Sequence, residues 1–170
     1  LEDARIAVKL VFENLPAACR DGSNREARDG MTMGAYYAGM AINQVNVGNV
    51  HAIAHQLGGK YGIPHGLANA LVLPHVLEFC REESTPRLAE LALLLGLGDP
   101  AEGEGQLAHK FIQAVRDLRT EVGIPDHSDR LRREDYDHLA DLAVAECEGY
   151  PVPRLLDKQS VIRIFDRIAG

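Results

Sequence analysis

Capping and breaking residues cut the chain into helix-length pieces, and that punctuation leaves little room for a sheet. A first segment runs from Leu1 to Arg20, with Ala4, Ile6, Ala7, Leu10, Val11 and Leu15 at helix spacing. Asp21-Gly22 stops it, and Gly22 suits the left-handed position after a helix. Ser23 to Glu26 has the spacing of a capping box and opens a second helix to about Asn46. Gly30, Gly34 and Gly39 fall inside that helix, each costing about 1 kcal/mol against Ala. Such glycines are expected to let a neighbouring helix approach closely. Asn49 caps a third, short helix that ends at Gly58-Gly59, and Pro64 starts a fourth that runs to about Arg81. Thr85-Pro86 and Asp99-Pro100 each place a proline at a first helical position, ahead of Leu88–Leu95 and of a helix to about Val122. Gly123-Ile124-Pro125 breaks the latter. Further helices are predicted over Glu134–Glu146 and, capped by Asp157, over Lys158–Ile168. No stretch alternates apolar and polar long enough to make a strand. The predicted fold is therefore all-α, a single multi-helix domain over residues 1–170 with no internal repeat.

Charge narrows the function. The net charge is −7 and the isoelectric point about 5.5. Nucleic-acid binding needs a basic stripe to displace counterions. The densest basic spot, Arg130, Arg132 and Arg133, is flanked by Asp129, Glu134 and Asp135 and reads as a solvated helix start. The three cysteines, Cys19, Cys80 and Cys147, are far apart and form no C-x-x-C pair, which predicts reduced thiols in a cytoplasmic protein. No apolar run approaches the ~20 residues of a membrane span. The acidic, amphipathic start (Glu2, Asp3) does not resemble a signal peptide. Helical periodicity is already running at Leu1 with no cap ahead of it, so the chain reads as a piece of a longer one; a processed or engineered start is the alternative.

Of seven histidines, His51, His55, His65 and His75 lie within one short stretch. His51 and His55 are four apart and project from one helix face. Their neighbours are small and apolar, which predicts a buried face. Neutral imidazole in such a place is a good ligand for a divalent transition metal. Gly58, Gly59 and Gly62 allow the chain to fold back, so that His65 reaches the same centre. Spacing alone leaves two readings open: a metal site, in which the His51–His55 pair is the simplest choice, or core histidines with ordinary hydrogen bonds. Ala52 stands where a zinc-peptidase helix would carry Glu, so that hydrolase is not supported. The glycines make a poor phosphate loop, since no strand precedes them.

The run His51-Ala52-Ile53-Ala54-His55-Gln56-Leu57-Gly58-Gly59, then Pro64-His65-Gly66-Leu67-Ala68-Asn69-Ala70 and Leu73-Pro74-His75-Val76, closely resembles the signature of iron-containing (group III) alcohol dehydrogenases. Glu13-Asn14-Leu15-Pro16 and Ala38-Gly39-Met40-Ala41 look like that family as well. The likeness weakens after about Leu97, and Val152-Pro153-Arg154 stands where many members have Asn-Pro-Arg. The resemblance implies the C-terminal helical domain of the iron-containing alcohol dehydrogenase and dehydroquinate synthase-like fold. It implies metal ligation by His51 and His65. It gives His55 a catalytic place beside the metal, in substrate placement or proton relay, without counting it as a ligand, and it leaves His75 structural. The family's two further ligands, an Asp and a His four apart, have no counterpart here, and neither does its nucleotide-binding half, so no cofactor-binding residue is assigned.

The activity implied for the intact protein is interconversion of alcohols and aldehydes or ketones with NAD or NADP, bound by the N-terminal half. The metal would be Fe2+ first, Zn2+ second. The partners implied are a small alcohol or carbonyl substrate and, as an open option, further copies of the chain. Two alternatives stand beside this reading. One is a glycerol-dehydrogenase-like member of the same superfamily, which the wording around Pro64 to Asn69 fits less well. The other is a non-catalytic helical domain: two imidazoles alone make a weak metal site, so the isolated chain is expected to be inactive.

Overall fold

The computed structural model describes residues 2–170. Its elements are α1 (Glu2–Arg20), α2 (Arg25–Val45), α3 (Asn49–Tyr61), α4 (His65–Phe79), α5 (Arg81–Leu94), α6 (Glu104–Glu121), a 3-10 turn (Arg133–Asp135), α7 (Tyr136–Cys147) and α8 (Lys158–Ile168). Among the described residues the only β pairing is an isolated parallel bridge between Ser128 and Ala169. The all-α expectation holds. The predicted start at Leu1 lies outside the described residues.

The chain divides into two compact units. The first comprises residues up to Asn46 and Ser84–Gly123. Here α1 and α2 form an antiparallel pair, tied at one end by Gln44 donating to Asp3 at 3.0 Å. Gly34 is buried, and a Cβ there would lie 3.4 Å from Leu10 and 3.5 Å from Val11. A Cβ on Gly30 would overlap the Asn14 side chain, whereas Gly39 faces open space. Close approach therefore explains two of the three glycines. Phe12 of α1 meets Phe111 of α6 with ring centroids 6.1 Å apart.

The second unit comprises Val47–Glu83 and Ile124–Gly170. Helices α3, α4, α7 and α8 surround a core that includes Ile53, Leu57, Val72, Val161, Phe165 and Ile168, all with no exposed surface. The burial of these large apolar groups holds the unit together. Helix α8 alternates its faces strongly: Val161, Ile164, Phe165 and Ile168 are buried, while Asp166 and Arg167 are exposed.

Several predicted boundaries move, each for a local reason. Asn24, not Ser23, caps α2, accepting from the Ala27 amide at 3.1 Å; Ser23 is taken by Asp21, which accepts from its amide at 2.9 Å. Gly22 is not left-handed. Helix α3 runs through Gly58-Gly59 to Tyr61 and stops at Gly62, whose φ is +63°. Gly48 precedes it as cap, so Asn49 is its first residue. The fourth predicted helix is interrupted at Cys80, after which α5 starts at Arg81. Pro86 therefore lies inside α5 and not at its start, forgoing one backbone hydrogen bond. Asp99-Pro100 forms a turn in which Asp99 accepts from the Ala101 amide at 2.8 Å, and α6 waits until Glu104.

Asp157 caps α8 as expected, accepting from the Ser160 amide at 2.9 Å and hydroxyl at 2.5 Å. The Ser160 side-chain hydrogen bond, above all, holds the Asp157 carboxyl below its ordinary range. A depressed folded pKa means the contribution is full above the unfolded value of about 3.9 and is lost as pH falls through the folded value. Asp157→Ala should therefore cost about 1 kcal/mol near neutral pH. Asp157→Asn should retain most of the cap. Urea unfolding of the three proteins across pH 2.5–7 (approximately) checks this: the gap between wild type and Asp157→Ala should narrow on the acid side.

Candidate metal centre

Helix α3 carries His51 and His55, and α4 begins at His65. The reversal between them is made by Gly62, whose amide closes on the Gly58 carbonyl at 3.0 Å. The left-handed backbone at Gly62 suits glycine, which has no Cβ to clash. Ile63 then buries beside Ala52 and Leu57 in the same core, and Pro64 enters α4. As a result three imidazoles meet. Ring centroids are 5.2 Å apart for His51 and His65, 5.5 Å for His55 and His65, and 5.7 Å for His51 and His55. His75 lies apart from this group, lining a separate pocket of about 260 Å³ with Arg154, Arg163 and Arg167.

The expected burial is only partly found. Ala52, Ile53 and Leu57 fill the core side of α3, and His51 is half-buried. The His55 side chain is 40% exposed, and His65 is exposed at the helix start. Small neighbours thus mark the packed face of α3, and the imidazoles sit at its edge.

The start of α3 is anchored by a buried amide. Asn49 is 4% exposed. Its Nδ2 donates to the Arg154 carbonyl at 2.8 Å and lies 3.4 Å from Cys80 Sγ, while its Oδ1 accepts from the Cys147 thiol at 2.9 Å. One side chain thereby ties α3 to the ends of α4 and α7 and to the chain before α8. All three cysteines are free, as the sequence implied.

Each imidazole has distinct surroundings. Partial burial, then the nearby His65 and His55 rings, push the His51 pKa down; Glu146 opposes this. His51 is thus biased toward the neutral form a metal requires. At His65, the Asn69 amide donates to the backbone carbonyl at 2.8 Å and lies 3.2 Å from Nε2. His55 Nδ1 lies 2.6 Å from Glu146 Oε1. That carboxylate also accepts from Gln56 Nε2 at 2.8 Å and from the Tyr150 hydroxyl at 2.7 Å. The Tyr150 bond to Glu146 pushes the phenol pKa up.

The donor chemistry suits a divalent transition metal. Two imidazole nitrogens held about 2.0–2.1 Å from one tetrahedral metal put their ring centroids roughly 5 Å apart. The His51–His65 separation of 5.2 Å meets that spacing, and the two distances to His55 are longer. Among the described residues no three His, Cys, Asp or Glu side chains are arranged to hold a metal together. The fit therefore rests on a pair of imidazoles. The sequence points to all three histidines, but it gives Asn49 only a capping role and gives Glu146, Gln56 and Tyr150 no role at the site.

The family model described as Fe-containing alcohol dehydrogenase family, C-terminal, matches residues 4–169. The 1,3-propanediol dehydrogenase of Klebsiella pneumoniae is 37% identical over 161 residues, covering 94% of this chain and 42% of that protein. The NAD-dependent methanol dehydrogenase of Bacillus methanolicus is 34% identical over 161 residues, covering 94% and 42%. A crystal structure of a 1,3-propanediol oxidoreductase superposes with a TM-score of 0.93 at 36% identity, over 98% of this chain and 44% of that one. The chain spans less than half the length of these relatives. Among the described residues no helix is long and apolar enough to cross a membrane.

The Asn49 anchor can be tested by itself. Asn49→Ala leaves the part-buried Arg154 carbonyl and the two buried thiols without their Asn49 partner, so it should cost about 1–3 kcal/mol. Denaturant unfolding of wild type and variant measures this. A loss below a few tenths would show that the amide is not an anchor.

Proposed function

Since this chain belongs to the Fe-containing alcohol dehydrogenase family, through that family's C-terminal part, we propose that the whole protein interconverts alcohols and aldehydes or ketones with NAD or NADP. In this reading His51 and His65 are metal ligands, and His55 is a catalytic residue that handles a proton beside them. Fe2+ is the metal proposed first and Zn2+ second. The observation that carries the reading is the meeting of three imidazoles from two helices, with His51 and His65 at a separation that one shared metal would accommodate. We assign the nicotinamide cofactor chiefly to parts of the protein outside this chain. A cytoplasmic location accords with the three free thiols.

When bound, the metal polarises the substrate oxygen and lowers the alcohol's pKa, and the nicotinamide carries the hydride. The chain's own residues do the rest. His51, biased toward its neutral form, offers a lone pair without first losing a proton, and His65 supplies the second imidazole nitrogen. His55 is exposed enough to meet a substrate and is held by Glu146.

The test uses the full-length protein with metal content and rate measured on the same preparations. His51→Ala and His65→Ala should each hold little metal. His55→Ala should keep its metal while kcat falls about 10–100-fold, the scale of losing a group next to the ligands. If His55→Ala emptied the site while His65→Ala stayed loaded, the helix pair His51 and His55 would be the ligands instead.

A further inference from the structure

We propose that Glu146 is the positioning residue of His55: its carboxylate takes the Nδ1–H of that ring and so presents the bare Nε2 as the proton acceptor of the centre. This rests on the reading of His55 given above.

An ionised carboxylate only accepts, so a contact of 2.6 Å to His55 Nδ1 puts the imidazole proton on that nitrogen. In a neutral ring the other nitrogen, Nε2, then carries a lone pair. Free histidine prefers the opposite tautomer, so this one has to be imposed. Glu146 is equipped to impose it. Its Oε1 receives His55 Nδ1 and the Tyr150 hydroxyl, and its Oε2 receives the Gln56 amide. Donors from α3 and from the chain after α7 thus converge on one carboxylate in the last turn of α7. The Glu146 side chain is 26% exposed, against 40% for His55, so the accepting end is the more enclosed. A surface ion pair of two freely moving side chains would need neither the tyrosine nor the glutamine.

The consequence is a proton acceptor of defined direction. When a substrate hydroxyl gives up its proton, the O–H bond breaks, its electron pair stays on oxygen, and an N–H bond forms at His55 Nε2. The Glu146–His55 pair goes from a net charge of −1 to zero. The carboxylate therefore stabilises the imidazolium that forms, as it holds the ring beforehand.

Selective 15N-histidine labelling of the metal-free full-length protein tests this by long-range proton–nitrogen NMR. The His55 signal is identified by its loss in His55→Ala. In the wild type it should show protonated Nδ1 and bare Nε2. In Glu146→Ala it should move toward the Nε2–H form while the His51 and His65 signals keep their tautomers. In metal-loaded Glu146→Ala, metal content should persist and kcat should fall about 10–100-fold at nearly unchanged KM. Glu146→Gln covers a failure of Glu146→Ala to fold: it keeps the side chain's size but removes the charge, and kcat should again fall with metal retained. An Nε2–H tautomer in the wild type, or an unchanged His55 signal in Glu146→Ala, would overturn the proposal even with His51 and His65 confirmed as ligands. Loss of metal in both Glu146 variants would overturn it differently, since the carboxylate would then be orienting a ligand. Retention of metal by His51→Ala and His65→Ala would refute the ligand reading instead, whatever the His55 tautomer.

Discussion

The left-handed turn at Gly62 is the constraint on which the histidine group depends. It ends α3, reverses the chain within a few residues and sets His65 back against His51. A side chain at that position would be strained whatever space surrounds it. Ile63, buried immediately after the turn, pins the reversal to the core. Imidazoles from two helices are thereby brought together by the fold itself, the preassembly that a metal or a substrate needs from a protein scaffold.

The rest of the second unit keeps that arrangement in place from behind. Asn49 pairs both of its amide protons and its carbonyl oxygen and joins the start of α3 to three other segments. A buried amide is costly unless every polar atom is paired, so only one packing of these ends is favourable. Glu146 lies one residue before Cys147, whose thiol bonds to Asn49. The segment that anchors α3 therefore also delivers the carboxylate to His55. Stability and the proposed chemistry share this short stretch of α7.

Much of the fold was legible in the sequence because helix periodicity is a local property. Helix α8, with Asp157 as cap and one clean apolar face, needed nothing beyond its own residues. Boundaries failed where a longer-range effect won. Thr85-Pro86 looks like a helix start, yet the break at Cys80 lets α5 begin at Arg81, with Glu82 and Glu83 in the first turn opposing the helix dipole favourably. Asn49 looks like a cap, but its side chain is claimed by the core. The histidines were visible as a cluster, and the resemblance ranked His65 above His55 as a ligand where spacing favoured the helix pair. Glu146 was not visible at all: it is 91 residues from His55, and only folding brings them together.

In the proposed centre His51 and His65 share a metal and His55 stands beside it. X-ray diffraction from the metal-loaded full-length protein, collected at the absorption edge of the bound metal, tests it most directly. The anomalous peak should lie about 2.0–2.2 Å from one imidazole nitrogen each of His51 and His65. His55 should stay clear of it with Nδ1 still on Glu146. A peak at bonding distance from His55, or one that leaves His65 out, would contradict the account.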